Sequence, residues 1–198
     1  MYTLIGKAST RASRVLWMLE ELGLEYDWVK VMPHSPEARA ANPSGRLPAL
    51  EVDGEIITDS AAILQFLADR HGKFTFPAGT IERAKQDSIL HYLVDEIDGT
   101  LWTATRHKFL LPEDKRVPDI APSLKWEFGR ATKVLGQRLG EGPYLMGDTM
   151  TIADIIAVHC LGWAFGAKFP IEDDRLLAYS KRIRERPAYM RMSELAKA

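Results

Sequence analysis

The sequence predicts two architectures in series: a small α/β domain with a mixed sheet, then a region built from helices alone. Three observations carry this. Short apolar runs alternate with one amphipathic helix over the first third of the chain. Two further runs flank Asp53-Gly54, a hairpin signal because both residues tolerate the left-handed backbone that primed turns need. Beyond residue 80 strand alternation disappears and apolar residues recur at helical spacing.

The elements follow in order. Tyr2 to Ile5 suits a short strand, and Ala12 to Leu22 carries Val15, Leu16, Leu19 and Leu22 on one helical face, with Arg14, Glu20 and Glu21 on others. Gly23 supplies the stop. Tyr26 to Met32 is expected as a second strand, parallel to the first because the helix is the crossover. Residues 33–43 read as a loop with at most one short helix. Leu47 to Val52 and Glu55 to Thr58 form the hairpin, and Asp59 or Ser60 caps a helix whose face is Ala61, Ile63, Leu64, Phe66 and Leu67. This places one domain at 1–75, a connection at 76–82 and a helical domain at 83–198. Helices are expected over Ile81–Leu101, Leu124–Leu139, Ile152–Phe165, Leu176–Arg184 and Ala188–Leu195.

Composition narrows the function classes. With 26 basic and 27 acidic residues the formal charge is −1, so no broad basic field advertises nucleic acid. The single cysteine, Cys160, excludes an intramolecular disulfide framework and any metal site that needs several thiolates. The opening residues are too short and too quickly polar for a secretion signal. The most apolar run, Ile152 to Gly166, is interrupted by Asp154 and His159, so burial in a helical domain accounts for it better than a bilayer does. A cytoplasmic location is expected.

The most informative stretch is Asn42-Pro-Ser-Gly-Arg-Leu-Pro-Ala-Leu50, followed by the hairpin and Thr58-Asp-Ser60. Pro48 has no N–H and holds Leu47 extended, and a capped helix start presents amides to an anion. Such a unit suits a small peptide-like anion. Ser9 before the first helix, Arg46-Leu47-Pro48, Asp59-Ser60 and Thr151-Ile-Ala-Asp154, in that order and spacing, together resemble the glutathione transferase superfamily over nearly the whole chain. The resemblance implies a thioredoxin-like first domain that binds glutathione, an all-helical second domain that takes an apolar electrophile, and a homodimer. From the residues themselves, no metal, nucleic acid or membrane partner is expected.

Residue by residue, the resemblance implies a cis bond before Pro48, with the main chain of Leu47 pairing with the cysteinyl part of glutathione. Asp59 and Ser60 match the positions facing its γ-glutamyl end, where many related chains carry Glu or Gln in place of Asp59. Arg46, with His34 and Ser35 from the preceding loop, is a candidate for the glycyl carboxylate. Lys7-Ala-Ser-Thr-Arg-Ala-Ser13 is most similar to bacterial beta-class members, which have cysteine where this chain has Ser9. That departure disfavours mixed-disulfide chemistry. It favours a hydroxyl that donates to the glutathione thiolate, from Ser9 or its neighbour Thr10, with nearby helix amides as a further source. His107-Lys108 resembles a pair near the beta-class cleft. Arg106 and Lys108 suit an anionic substrate, and Trp102, Phe109 and Trp163 are candidates for an apolar pocket. Thr151 and Asp154 read as a structural cap.

The expected function is transfer of glutathione to small, largely apolar electrophiles, without a choice among addition, displacement and epoxide opening. A glutathione-dependent peroxidase or disulfide or quinone reductase, and a noncatalytic glutathione- or ligand-binding protein, remain alternatives.

Overall fold

A computed structural model describes residues 1–197; Ala198, the last residue of the expected helical domain, lies outside them. The chain divides into two compact units, Met1–Pro77 joined by the segment from Arg184 onward, and Ala78–Ile183.

In the first unit β1 (Tyr2–Ile5), β2 (Tyr26–Val29), β3 (Ala49–Val52) and β4 (Glu55–Thr58) form one sheet in the order β2-β1-β3-β4. β1 runs parallel to β2, which leaves α1 (Ala12–Leu22) as the crossover, and antiparallel to β3. This is the mixed sheet the sequence predicts. Asp53 and Gly54 turn the β3–β4 hairpin with φ of 54° and 85°, the double left-handed conformation of a type I′ turn. A short helix, α2 (Pro36–Ala41), is capped by Ser35, whose oxygen accepts from the Ala38 amide. α3 (Ser60–His71) follows β4. Leu4 and Leu50 from the sheet, Val15, Leu16, Met18 and Leu19 from α1, and Ile63, Leu64 and Leu67 from α3 are all fully buried. They form the core of this unit.

The last helix, α9 (Pro187–Leu195), belongs to this unit as well, although the sequence reading runs the helical domain to the end of the chain. Tyr189 meets Trp17 edge-on with ring centroids 4.9 Å apart. Arg186 grips Glu21 with two bonds of 2.6 and 2.7 Å, and Arg191 donates to Glu20 at 2.8 Å. Glu21 also accepts from the Trp17 indole at 3.0 Å. Glu21 is therefore no solvated residue: its side chain is 5% exposed, because a bidentate guanidinium covers it. Tyr26 donates to Glu20 at 2.7 Å, and burial together with that carboxylate pushes its phenol far above the usual range.

The second unit is helical: α4 (Ile81–Tyr92), α5 (Gly99–Thr105), α6 (Ala121–Leu139), α7 (Ile152–Ala167) and α8 (Asp174–Arg184). Thr80 caps α4 by accepting from the Arg83 amide. Wide π-type turns at Leu93–Asp98 and Arg106–Leu110 carry the chain between and beyond α4 and α5, so the expected helix ending at Leu101 extends to Leu110, more than two turns further. Among the described residues no helix is long and apolar enough to cross a membrane. The apolar run in α7 is instead buried on most of its circumference.

Asp154 explains how a carboxylate sits in that run. It is fully buried and takes four donors: the Leu145 amide at 2.9 Å and the Tyr179 hydroxyl at 2.7 Å on one oxygen, the Thr151 amide at 2.7 Å and hydroxyl at 3.4 Å on the other. Burial pushes its carboxyl up, while these donors pull against that shift. Asp154 thus ties the start of α7 to the preceding turn and to α8. Asp154→Ala strands two buried amides and two hydroxyls and is expected to lower unfolding free energy by about 3 kcal/mol, measured by urea denaturation. An unchanged midpoint would show that the network contributes nothing.

Candidate functional site

Strand pairing collects three turns at one end of the sheet. Ile5, the last residue of β1, pairs with Ala49 at the start of β3, and Ala49 pairs with Thr58 at the end of β4. The β1–α1 turn, the Leu47–Pro48 segment and the start of α3 therefore share one edge. Gly6 shows how closely they meet. A Cβ built on it lies 2.9 Å from Ala12 Cβ, 3.5 Å from Leu47 Cβ and 3.6 Å from Pro48 Cα, and its φ is +149°. Its amide donates to Val29 at 3.0 Å, and its carbonyl accepts from the Trp28 indole at 2.7 Å. Gly6 is the crossing point of this region.

The Leu47–Pro48 bond is cis, as the resemblance implies. Pairing in β3 begins only at Ala49, so the main chain of Leu47 is not spent on the sheet. The loop before it is held internally. The Asn42 side chain donates to the Arg46 carbonyl and accepts from the amide and hydroxyl of Ser44, while His34 donates its amide to the Gly45 carbonyl at 2.8 Å. Both Gly45 and His34 have left-handed backbone, and a side chain at Gly45 would strike His34 Nδ1 at 2.7 Å. This places His34 beside the loop that carries the exposed Arg46. Ser35 is used as the α2 cap.

The two candidate hydroxyls before α1 differ. Thr10 donates to the Lys7 carbonyl at 2.7 Å and accepts from the Ala12 amide at 3.2 Å, so its one proton is committed. Ser9 is exposed and its hydroxyl makes no hydrogen bond to another described residue. The first helix amides are not available as an additional source. Those of Ala12, Ser13 and Arg14 go to Thr10 Oγ1, Thr10 O and Arg11 O.

At the start of α3 the cap is Asp59, not Ser60. One Asp59 oxygen accepts from the Ala61 and Ala62 amides at 2.8 and 3.1 Å. Ser60 is the first helical residue, and a residue there keeps its N–H out of the intrahelical ladder. Its oxygen accepts from Arg14 Nη1 at 3.2 Å, and its hydroxyl donates to no described residue. Arg14, which the sequence reading places off the apolar face, is 2% exposed. Its spacing of four from Met18 was the available signal, since both lie on one buried stripe.

The remaining candidates lie in the second unit. Arg106 donates to Thr103 Oγ1 at 3.1 Å, and His107 Nδ1 accepts from the Val117 amide at 3.1 Å. That bond leaves the His107 proton on Nε2. Lys108 and Phe109 are exposed, while Trp102 and Trp163 are half-buried, the latter edge-on to His159 at 6.4 Å. Arg106, His107, Lys108 and Phe109 share one π-type turn. Among the described residues no group of three His, Cys, Asp or Glu side chains is placed to hold a metal ion.

The family model described as "Glutathione S-transferase, N-terminal domain" matches residues 8–70. The chain is 26% identical to glutathione S-transferase GstA of Escherichia coli O157:H7 over 181 residues, covering 85% of this chain and 86% of that protein. Its structure is similar to that of a glutathione transferase from Methylococcus capsulatus str. Bath, with a TM-score of 0.87, 26% identity and coverage of 100% and 99%. It is likewise similar to a glutathione transferase homolog from Lodderomyces elongisporus, with two GSH per subunit, with a TM-score of 0.86, 25% identity and coverage of 98% of each chain. The chain has the glutathione-transferase superfamily fold, a thioredoxin-like domain followed by a helical one.

The crossing at Gly6 is testable by itself. Gly6→Ala combines an unfavourable positive φ with an overlap at Ala12 and is expected to cost about 1–3 kcal/mol. Thermal or urea unfolding reads it, and a neutral result would mean that the three segments part easily.

Proposed function

We propose that this protein is an enzyme that transfers glutathione to electrophilic substrates, with the first unit binding the tripeptide and activating its sulfur. The single observation that carries the reading is the pair of donors on Ser60 at one edge of the sheet, which no described residue receives. Ser60 offers a main-chain N–H and a hydroxyl side by side, which suits the two oxygens of the γ-glutamyl carboxylate. The second Asp59 oxygen suits the neighbouring ammonium group, since the first is spent on α3. Leu47, outside the ladder, suits the cysteinyl main chain, and Arg46 with His34 suits the glycyl carboxylate. The similarity to glutathione transferases along nearly the whole chain supports the same ligand.

Bound in this direction, the thiol faces the β1–α1 turn. Ser9 donates its hydroxyl proton into a hydrogen bond with the thiolate, which stabilises the ionised sulfur and lowers its pKa. The thiol proton leaves to solvent, the sulfur pair attacks the electrophile, and no bond to the protein forms. Thr10 positions the turn instead of donating to sulfur, because its proton is held by Lys7. Cys160 is buried and within 3.7 Å of Asp98, so mixed-disulfide chemistry on a protein thiol does not suit this chain. In the helical unit we assign Trp102, Phe109 and Trp163 to an apolar second substrate. Arg106, Lys108 and the His107 Nε2–H are assigned to anionic character developing on it. A homodimer belongs to the same proposal, and light scattering at assay concentration checks it.

One charge-assisted hydrogen bond is worth about 1.5–3 kcal/mol, or about one to two pKa units. Ser9→Ala is therefore expected to raise the pKa of bound glutathione by about one to two units. The rising limb of the rate profile moves to higher pH accordingly, and kcat/KM at neutral pH falls about 10- to 100-fold. Thr10→Val is expected to leave that pKa in place. Ultraviolet titration of the bound thiolate and steady-state rates with a panel of electrophiles read both. Glutathione bound without turnover by any electrophile would favour a binding protein, and faster reduction of peroxides or disulfides than conjugation would favour a reductase.

A further inference from the structure

We infer that Arg14 is a positioning residue that turns the Ser60 hydroxyl into an outward-facing donor for the γ-glutamyl carboxylate. The inference rests on the proposed glutathione site and adds a residue from α1 to it.

A serine hydroxyl has one proton and accepts through its lone pairs. Left alone, it rotates to donate or accept as its surroundings demand. At Ser60 the choice is restricted, because Arg14 Nη1 lies 3.2 Å from Oγ and a guanidinium has only protons to offer. The hydroxyl must accept there and aim its own proton elsewhere. No described residue receives it. Ser60 is 3% exposed and Arg14 2% exposed, so water has little access to compete for either group. A buried hydroxyl with an uncommitted proton is costly unless something accepts it, and an anion is the acceptor that a neighbouring cation favours most. Arg14 thus contributes through Ser60 twice, by fixing the proton direction and by placing positive charge behind the oxygen. A purely architectural Arg14 that only ties α1 to α3 would have no reason to care which ligand is bound.

That difference sets the test. Full-length protein is titrated with glutathione and with the analogue carrying 4-aminobutyryl in place of γ-glutamyl, which lacks the carboxylate in question. The wild type, Arg14→Met, Ser60→Ala and the double variant are compared by calorimetry, with folding checked by circular dichroism. The wild type should prefer glutathione by about tenfold or more. Each single variant should reduce that preference to about threefold or less, and the double variant should lose no more than either single one, because the two residues act as one unit. Arg14→Lys, which keeps the charge and an N–H donor, should recover part of the preference. If Arg14→Met does not fold, the comparison runs on Arg14→Lys and Ser60→Ala, and an unchanged preference in Ser60→Ala overturns the inference. It is also overturned if Arg14→Met weakens both ligands equally, or if the two substitutions multiply. A wild type that binds glutathione and the analogue equally removes the assigned carboxylate contact while leaving glutathione transfer standing. A wild type that binds neither removes both.

Discussion

The end of β1 is the constraint on which the first unit depends. Ile5 is paired on both sides, to Val29 and to Ala49, and Ala49 in turn is paired to Thr58. Those pairings, and not any feature of the individual turns, bring the exit of β1, the entry to β3 and the start of α3 to one edge. A register slip of one residue would reverse the faces of β3 and move Leu47–Pro48 away from Gly6. The absence of a side chain at Gly6 lets Ala12, Leu47 and Pro48 approach within contact distance of the same point.

Given that arrangement, the chemistry follows from which donors are already used. Thr10, the first amides of α1 and the Ala61 and Ala62 amides of α3 all have internal partners. Among the described residues, the Ser9 hydroxyl and the paired donors of Ser60 have no such partner. Buried polar groups in folded proteins are almost always satisfied, so the buried Ser60 proton, beside an open main-chain segment, points to an acidic, peptide-like ligand. The proposed function assigns one carboxylate and one thiolate to them. Capping matters here in a direct way: by holding two α3 amides itself, Asp59 concentrates recognition onto Ser60.

The helical unit shows the opposite use of a charged group. Asp154 lies buried in a largely apolar segment and accepts from four donors supplied by Leu145, Thr151 and Tyr179. It orders α7, the turn before it and α8. Glu21 does the same for the first unit, locking α9 onto α1 through Arg186.

Periodicity and turn chemistry alone determined the order of elements along the chain through the hairpin, the Asp53–Gly54 turn, the helical second region and the Thr151–Asp154 cap, while the pairing of β1 with β3 came from the tertiary structure. These are local: they depend on residue spacings of two to four and on backbone preferences carried by single residues. The cis geometry at Leu47–Pro48 was legible only by resemblance, since a proline permits that bond without requiring it. Tertiary structure decided the rest. It seated α9 against α1 and buried Arg14 behind Ser60. Arg14 reaches Ser60 across 46 positions and Arg191 reaches Glu20 across 171, separations that no local spacing pattern encodes.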